Sequence, residues 1–534
     1  MWAFSFPKLS VAGLVWLAPG CLLCAALGQT GGQAFRLGYV AGLTHYLVSL
    51  HWLLFIPYPA GAFAAWVSLS VYLALYPATW VWLCGRLFPA DLVEAGAKPS
   101  DLLERFFAVG WTRRTWWAIQ CGAAWVALEM VLARLLSGFP WNLLGASQYQ
   151  ILPLLQIASF TGVYGVSFLI AWSSVALMMA FALTVHAPSQ RWGWRNELAL
   201  PLMVLVGVTV YGMGKLMQPT TPRRELKVAL VQPSIPQELI WDERESTNRF
   251  HKLIRLSEAA LATKPDLLVW PEASLPGFSQ SNYITLTNLI ATHRVWMIFG
   301  ADDTEQRAPG SPPEAFNSSF LFDPEGHFVA TYRKRQLVIF GEYVPLARWL
   351  PFVRHFTPIT VSFTPGDRPV PFVLRQPPAT VSTLICFEDV FPELVRGYVE
   401  PDTDFLVNLT NDGWFGESAA QWQQAANAVF RAVENGLPLV RCANNGLTCW
   451  VDAVGRLHEV FFGDSRDIYG SGFKTARIPL LAEGQRRAPT FYNRYGDRFG
   501  WACVAVVLVS SLGVMARRHL AKRRSRSRVK GKLA

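Results

Sequence analysis

The sequence predicts a multi-pass α-helical membrane domain joined to a layered α/β domain, and three observations carry that prediction. Apolar residues make up 52% of the 534 residues and charged residues only 16%, but this balance is uneven along the chain. No Asp, Glu, Lys or Arg occurs between Arg36 and Arg86. A membrane-spanning helix needs roughly 20 apolar residues, so that stretch holds two spans with a turn at Pro57 and Pro59. From about residue 225 the pattern changes to short β-rich runs alternating with amphipathic stretches, which is how stacked strands and helices are written.

The membrane part comes first. Further spans are expected at 10 to 28, 115 to 137, 154 to 184, 198 to 217 and 499 to 516, giving about six before residue 220 and one at the end. The first run has Lys8 before it and small residues at Ala25 and Ala26, as a cleaved signal peptide does; because more spans follow at once, it is expected to be a retained helix. Basic residues orient the set by the positive-inside rule. Arg86, Lys98, Arg105, Arg113 and Arg114, then Arg191 and Arg195, then the tail from Arg517 to Lys532 mark cytoplasmic regions. Alternation puts the loop at 138 to 152 and the region from 222 to 496 on the periplasmic side of an inner membrane. That tail carries nine of the net +11 charges with no acid, so the basic balance speaks for topology and anionic lipid, and no nucleic acid is expected as a partner. The expected division is 1–221 as membrane domain, 222–496 as α/β domain, 497–517 as a last transmembrane helix and 518–534 as a basic cytoplasmic tail.

In the α/β part, LKVALVQ, DLLVW and VWMIFGA read as strands separated by helices at 244 to 262 and 282 to 293. FNSSFLFD and HFVATYRK flank Pro324-Glu325-Gly326, a hairpin signal. TVSTLIC, DFLVNLT and LPLVRCA continue the strands, with helices near 392 to 399 and 418 to 435, and a last hairpin follows Asn445-Gly446 through LTCWVDA and LHEVFF. Five of the eight cysteines, Cys21, Cys24, Cys84, Cys121 and Cys503, lie in or beside apolar runs and read as small hydrophobes. Cys442 and Cys449 flank the Asn445-Gly446 turn; a disulfide and two core thiols are both open there. Cys21 and Cys24 form a CxxC, but inside an apolar run with no second pair it is a poor metal or redox candidate; no histidine cluster has zinc-ligand spacing, so neither a metal nor another cofactor is expected.

Three residues carry the chemistry. Glu272 in LLVWPEAS, Lys334 in TYRKRQLVIFGE and Cys386 in STLICFEDV each sit at or near the end of a β-rich run, where open α/β sheets place their sites. A carboxylate, an ammonium and a thiol so presented supply a base, an oxyanion stabiliser and a nucleophile, the set that acyl transfer through a thioester needs. A thiol at a strand-to-helix transition also lies close to backbone amides that favour a thiolate or an oxyanion.

These stretches resemble the nitrilase superfamily, through WPEAS, YRKRQLVIFGEYVP and ICFEDVFPE. With GFPWNLLGASQ, VQPSIPQELIWDE, NLTNDGWFG and RCANNGLT, the chain is similar to the apolipoprotein N-acyltransferase family over most of its length. The resemblance implies a nitrilase-like αββα sandwich for the α/β part. It also implies Glu272 as general base, Lys334 as oxyanion stabiliser, Cys386 as nucleophile, and Glu342 and Glu388 as supporting acids. Trp241, Trp414 and Phe415 are implied to line or cover the lipid entrance. Phe387 stands where the family commonly has Tyr, and Ile339 where it more often has Pro.

The implied reaction is ping-pong. Cys386 takes an acyl chain from a phospholipid, expected to be phosphatidylethanolamine, and the α-amine of an S-diacylglyceryl cysteine on an apolipoprotein then attacks the thioester. The alternative is a membrane-tethered nitrilase-like amidase using the same three residues on a soluble amide. Within the spans, Glu129 and Arg134 are the ionisable residues to explain; a structural pair is expected, with a place at the headgroup end of a lipid channel near GFPW as the other reading.

Overall fold

The computed structural model describes residues 1–88, 107, 109–186, 192–218, 224–240, 242–275, 279–306, 309–345, 362–463 and 467–530. Lys98, Arg105, Arg191 and Trp241 lie outside the described residues, as do the side chains of Arg518 and of the basic tail from residue 521. The chain forms two compact units, one from 1–51, 67–213 and 497–534 and the other from 52–66 and 214–496.

The first unit is helical. Its main helices are α1 (Ala18–Ala26), α2 (Gly31–Ser49), the end of α3 (Pro59–Leu73), α4 (Leu75–Leu87), α5 (Trp111–Leu132), α6 (Val163–His186), α7 (Trp194–Leu216) and, after the second unit, a terminal helix Arg498–Lys530. Among the described residues four helices are long and apolar enough to cross a membrane: Pro59–Leu87, Val163–His186, Trp194–Leu216 and Arg498–Arg517. The run expected as a span at 10 to 28 folds as two short pieces, Ala12–Trp16 and Ala18–Ala26, because Pro19 can start a helix but not continue one. The run from 154 is interrupted where Gly162 adopts φ +65°, so the long helix starts at Val163.

Apolar helices in lipid gain nothing from burying more apolar surface, so they associate by close packing and interhelical hydrogen bonds. Gly38 and Gly42 of α2 are spaced for this: a Cβ at Gly38 would stand 2.7 Å from the Ala78 Cα, and one at Gly42 2.3 Å from the Pro77 side chain. Helices α4 and α5 exchange indole donors, Trp80 Nε1 to the Cys121 carbonyl at 2.9 Å and Trp117 Nε1 to the Cys84 carbonyl at 3.0 Å. Two ion pairs close the set, a buried one of Arg114 with Glu197 at 2.8 Å and one of the more exposed Arg134 with Asp497. The expected pairing of Glu129 with Arg134 does not form. Five residues apart on a helix, the two point about 140° apart; Arg134 stacks on Trp501 at 5.4 Å, and Glu129 accepts from Trp125 Nε1 at 2.9 Å and the Leu144 amide at 2.7 Å.

The second unit is an αββα sandwich. One sheet has the order β12-β1-β2-β3-β4-β5 and the other β11-β10-β9-β8-β7-β6. The strands are β1 (Arg224–Gln232), β2 (Leu267–Val269), β3 (Trp296–Glu305), β4 (Glu314–Phe322), β5 (Phe328–Arg333), β6 (Pro371–Arg375), β7 (Pro378–Ile385), β8 (Phe405–Thr410), β9 (Leu439–Ala443), β10 (Cys449–Val451), β11 (Leu457–His458) and β12 (Gly472–Leu480). The sheets face each other, with Ser319 bonded to Thr383 at 2.9 Å and Cys442 Sγ 3.4 Å from the carbonyls of both Val231 and Val269. Helices α8 (Ser246–Leu261) and α9 (Gln280–His293) cover the first sheet through Phe250, Leu253, Leu286 and Ile290, which pack on Trp270 and Phe299. Helices α10 (Pro392–Arg396) and α11 (Ala420–Asn435) belong to the second sheet's side.

Two strands escape the sequence reading. In β12 the period of two is broken by Lys474, a buried lysine whose ammonium is tied to the carbonyls of Thr448 and Val460, each at 2.7 Å. Strand β6 is only five residues long. Asn445-Gly446 joins β9 to β10, and the second hairpin turns at Asp452–Arg456. All eight cysteines are free thiols. Cys449 pairs with Arg441 across the β9–β10 ladder, so Cys442, the next residue on β9, points to the opposite face and is not placed to bond it.

Candidate active site

Strand ends of both sheets supply the site. The segment from Pro271 follows β2 and lies flat on β3, where Gly300 accepts the Ser274 amide at 2.9 Å and donates to the Pro271 carbonyl at 3.2 Å. Only a glycine fits at 300, since a Cβ there would sit 2.7 Å from the Glu272 Cα. Glu272 is thereby turned into the interior, 7% exposed. Its Oε2 accepts the Asn411 amide at 2.9 Å and its Oε1 accepts Asn317 Nδ2 at 2.8 Å.

Lys334 follows β5, and its own amide bonds the Asn317 carbonyl at 2.8 Å. Its ammonium stands between two carboxylates, 2.7 Å from Glu342 Oε1 and 3.4 Å from Glu272 Oε1. Burial alone would lower the lysine; Glu342 first, then Glu272 and Cys386, hold it above its ordinary value. Glu342 is fixed from behind by the Val338 amide at 2.9 Å. Asn317 also bonds Glu342 Oε1 at 2.8 Å, so the lysine and this asparagine share the same pair of carboxylates.

Cys386 follows β7 and opens a short helical turn, Cys386–Val390, in a left-handed conformation, φ +52°, which costs a non-glycine residue of order 1–3 kcal/mol. Its carbonyl is held by Gln424 Nε2 at 2.9 Å and Asn408 Nδ2 at 3.1 Å. A trans peptide points its N–H opposite to its C=O, so the Phe387 N–H is aimed away from those two side chains. The residue is half-buried, and burial of its sulfur, with the negative charge of Glu272, pushes the thiol well up while Lys334 and the Thr410 hydroxyl oppose this. The resting group is a thiol beside a carboxylate.

Glu388 is buried and fully used. It accepts from the amides of Ile385 and Arg335, each at 2.8 Å, from Gln336 at 3.1 Å, and from the Tyr332 hydroxyl at 2.7 Å. It therefore fastens the strand end before Cys386 to the loop after Lys334. Trp414 and Phe415 lie half-buried in the turn Asp412–Phe415 after β8. Phe415 packs edge-on against Trp52 at 4.6 Å, and Trp52 Nε1 bonds Gln423 at 3.0 Å. Thus residues from the short helical turn His51–Phe55 reach this loop.

Several site residues are missed from sequence. Asn317 and Gly300 carry no motif, and the strands that hold them contain other polar residues, EAFNSSFLF and WMIFGADDTE, so nothing in the pattern singles them out. Arg441 lies in the LPLVRCA strand, and a charge inside such a run needs partners. It has two, Asp389 and, at 3.5 Å, Asp412. Among the described residues no group of three or more His, Cys, Asp and Glu is placed to hold a metal ion.

Comparison with known proteins fits this geometry. Residues 227–468 match the carbon-nitrogen hydrolase family, and residues 1–176 match the apolipoprotein N-acyltransferase N-terminal domain. The chain is 37% identical to an apolipoprotein N-acyltransferase of Geobacter metallireducens, covering 94% of this chain and 91% of that protein. It is 30% identical to one from Rickettsia typhi, covering 80% and 81%, and 31% identical to one from Bradyrhizobium diazoefficiens, covering 77% and 75%. Among solved structures, an amidase of the nitrilase superfamily from Nesterenkonia AN1 aligns with 49% of this chain and 94% of its own, at 19% identity and a TM-score of 0.36. A carbon-nitrogen hydrolase domain and the N-terminal domain specific to these acyltransferases, in one chain with relatives along nearly its whole length, place this protein in the apolipoprotein N-acyltransferase family.

Proposed function

We propose that this protein transfers an acyl chain from a phospholipid to the α-amine of the S-diacylglyceryl cysteine of apolipoproteins, through a thioester on Cys386. The observation that carries the reading is the buried constellation in which Lys334 lies between Glu272 and Glu342. Membrane helices in the same chain supply the setting both lipid substrates need, because each exposed CH₂ of an acyl chain costs about 0.8 kcal/mol in water. We divide the chain into a membrane part at 1–221 and 497–517, a catalytic part at 222–496 and a basic tail at 518–534, with the catalytic part on the periplasmic side of the inner membrane.

In the first half-reaction Glu272 accepts the Cys386 proton as the sulfur attacks the ester carbonyl. The tetrahedral oxyanion is stabilised by Lys334 and by the Phe387 N–H. Collapse expels a lysophospholipid alkoxide, to which Glu272 returns the proton, and leaves the thioester. In the second, Glu272 accepts a proton from the attacking amine as the C–N bond forms, the C–S bond breaks, and the departing Cys386 sulfur takes that proton back, restoring thiol and carboxylate. Glu342 holds the lysine, Glu388 holds the two loops together, and Trp241, Trp414 and Phe415 border the lipid entrance. The donor is phosphatidylethanolamine.

The test is mass spectrometry of the purified protein after incubation with phosphatidylethanolamine. One acyl adduct is expected on Cys386, removed by hydroxylamine and absent from Cys386→Ala. A wild-type protein that forms no adduct while hydrolysing small amides would replace this reading by that of a membrane-tethered amidase.

A further inference from the structure

Asp302 is an acid beside the site that the proposed mechanism leaves unused. The β3–β4 ladder sets it directly opposite Asn317, and the β4–β5 ladder continues to Lys334, whose amide bonds the Asn317 carbonyl at 2.8 Å. Residues opposite each other in an antiparallel pair share a face, with Cβ atoms about 5 Å apart. Asp302, Asn317 and Lys334 therefore form one row across the strands. It lies on the face turned to the second sheet, since Ser319, two residues along β4 from Asn317, bonds Thr383 there. Asp303 and Arg333 take the opposite face and pair with each other at 2.6 Å.

Two acceptors in this row have no donor. Asn317 gives both hydrogens of its amide to carboxylates, Glu272 Oε1 and Glu342 Oε1, each at 2.8 Å, which leaves its Oδ1 buried without a partner. The Asp302 carboxylate forms no hydrogen bond or ion pair among the described residues. Loss of water first, then the negative charges of Glu272 and Glu342, push it from 3.8 up to about 6. Lys334 is already committed to Glu342 and Glu272. Unlike those two acids, Asp302 is exposed, so a group arriving from solvent can reach it. An ammonium, with three N–H donors and a positive charge, answers a carboxylate and an amide oxygen together.

We propose that Asp302 and Asn317 Oδ1 receive the α-ammonium of the acceptor, and that Asp302 takes the proton this group must lose before it can attack. The inference rests on the acyl-transfer reading. In this step an N–H bond of the ammonium breaks, its electron pair stays on nitrogen, and the Asp302 carboxylate gains the proton and passes it to water. The neutral amine then attacks the thioester carbon, and Glu272 accepts the second proton. Phosphatidylethanolamine also carries an ammonium, but phosphate and glycerol separate it from the ester carbonyl that reacts. The acceptor nitrogen is itself the reacting atom, and Asp302 stands only one side chain, Asn317, away from the base.

The test separates the two half-reactions. Wild type and Asp302→Asn are first charged with phosphatidylethanolamine or with phosphatidylglycerol of matched chains. The Cys386 adduct is then chased at pH 7 with a diacylglyceryl peptide or with hydroxylamine, which is uncharged at that pH. Asp302→Asn should slow the peptide chase about tenfold, as loss of a hydrogen bond to a charged group does, and the hydroxylamine chase far less. At pH 9, above the ordinary α-amine value of about 8, the peptide deficit should shrink to about twofold. An unslowed peptide chase, equal slowing of both nucleophiles, or a deficit that persists at pH 9 overturns the inference. So does slower charging from phosphatidylethanolamine alone, which would assign the ammonium to the lipid headgroup. A wild type that takes up no adduct from either lipid is a distinct outcome: the acyl-transfer reading itself then fails, and this inference with it.

Discussion

The two units hold their buried polar groups with different emphasis. In the sandwich, charges come in closed sets: Lys334 between Glu272 and Glu342, Arg441 between Asp389 and Asp412, Glu388 under four donors. In the helical unit, cohesion comes from glycines at helix contacts and from indole donors on neighbouring carbonyls, and two carboxylates, Glu129 and Glu197, each keep one oxygen without a hydrogen bond. The difference follows from solvent. A soluble core gains from apolar burial and can tolerate the desolvation of a well-partnered network, whereas helices in lipid have only packing and hydrogen bonds to bring them together.

The sharpest way to break this contrast is to open one of the closed sets. Lys334→Met should lower acyl transfer about 10²–10³-fold, as loss of an oxyanion donor does, while leaving two carboxylates facing each other; single-turnover adduct formation reads it. Arg441→Met strands Asp389 and Asp412, and removing one partner of a buried pair costs about 3–5 kcal/mol. A large fall in melting temperature is expected, partly restored by adding Asp389→Asn; no fall would mean that the set is not closed. In the other unit, Gly42→Leu should separate α2 from α4 and lower the melting temperature without altering the adduct rate per folded molecule. Asn317→Ala removes one shared donor and should cost about 1–3 kcal/mol, seen as a slower adduct rate at unchanged lipid affinity. The smallest effect is in pH. Burial pushes Asp412 from 3.8 to about 6, so the native state holds its proton more tightly than the unfolded chain. That contribution to stability is complete below pH 3.8 and is lost as pH rises through 6. The melting temperature should therefore fall between pH 5 and 7 by a few degrees more in the wild type than in Asp412→Asn.

Much of the catalytic half was legible. Glu272, Lys334 and Cys386 were singled out because reactive residues at strand ends are exceptions to the apolar pattern around them, and Glu342 and Glu388 through the family resemblance; the fold sets Lys334 between Glu272 and Glu342. Asn317 and Gly300 were not, since each acts through a contact across the sheet that the linear order does not encode. Arg441 was visible as a charge in an apolar strand, but its partners Asp389 and Asp412 come from two other loops. In the membrane half the apolar runs located helices well. They missed the break at Gly162, a matter of one positive φ, and they paired Glu129 with Arg134, which helix geometry sets on different faces.

One consequence of the lysine's position concerns charge during turnover. Two carboxylates and one ammonium leave the pocket with a single negative charge when Cys386 is a thiol, −2 + 1 = −1. Moving the thiol proton onto Glu272 exchanges one anion for another and leaves that total at −1. Under the proposed mechanism, donating that proton to the departing alcohol, and later accepting one from the amine, again only relocates it. The pocket can thus cycle between thiol and thioester without importing an ion from water, and the surrounding dipoles, fixed by Asn317, Asn411 and Val338, need not reorient as the reaction runs.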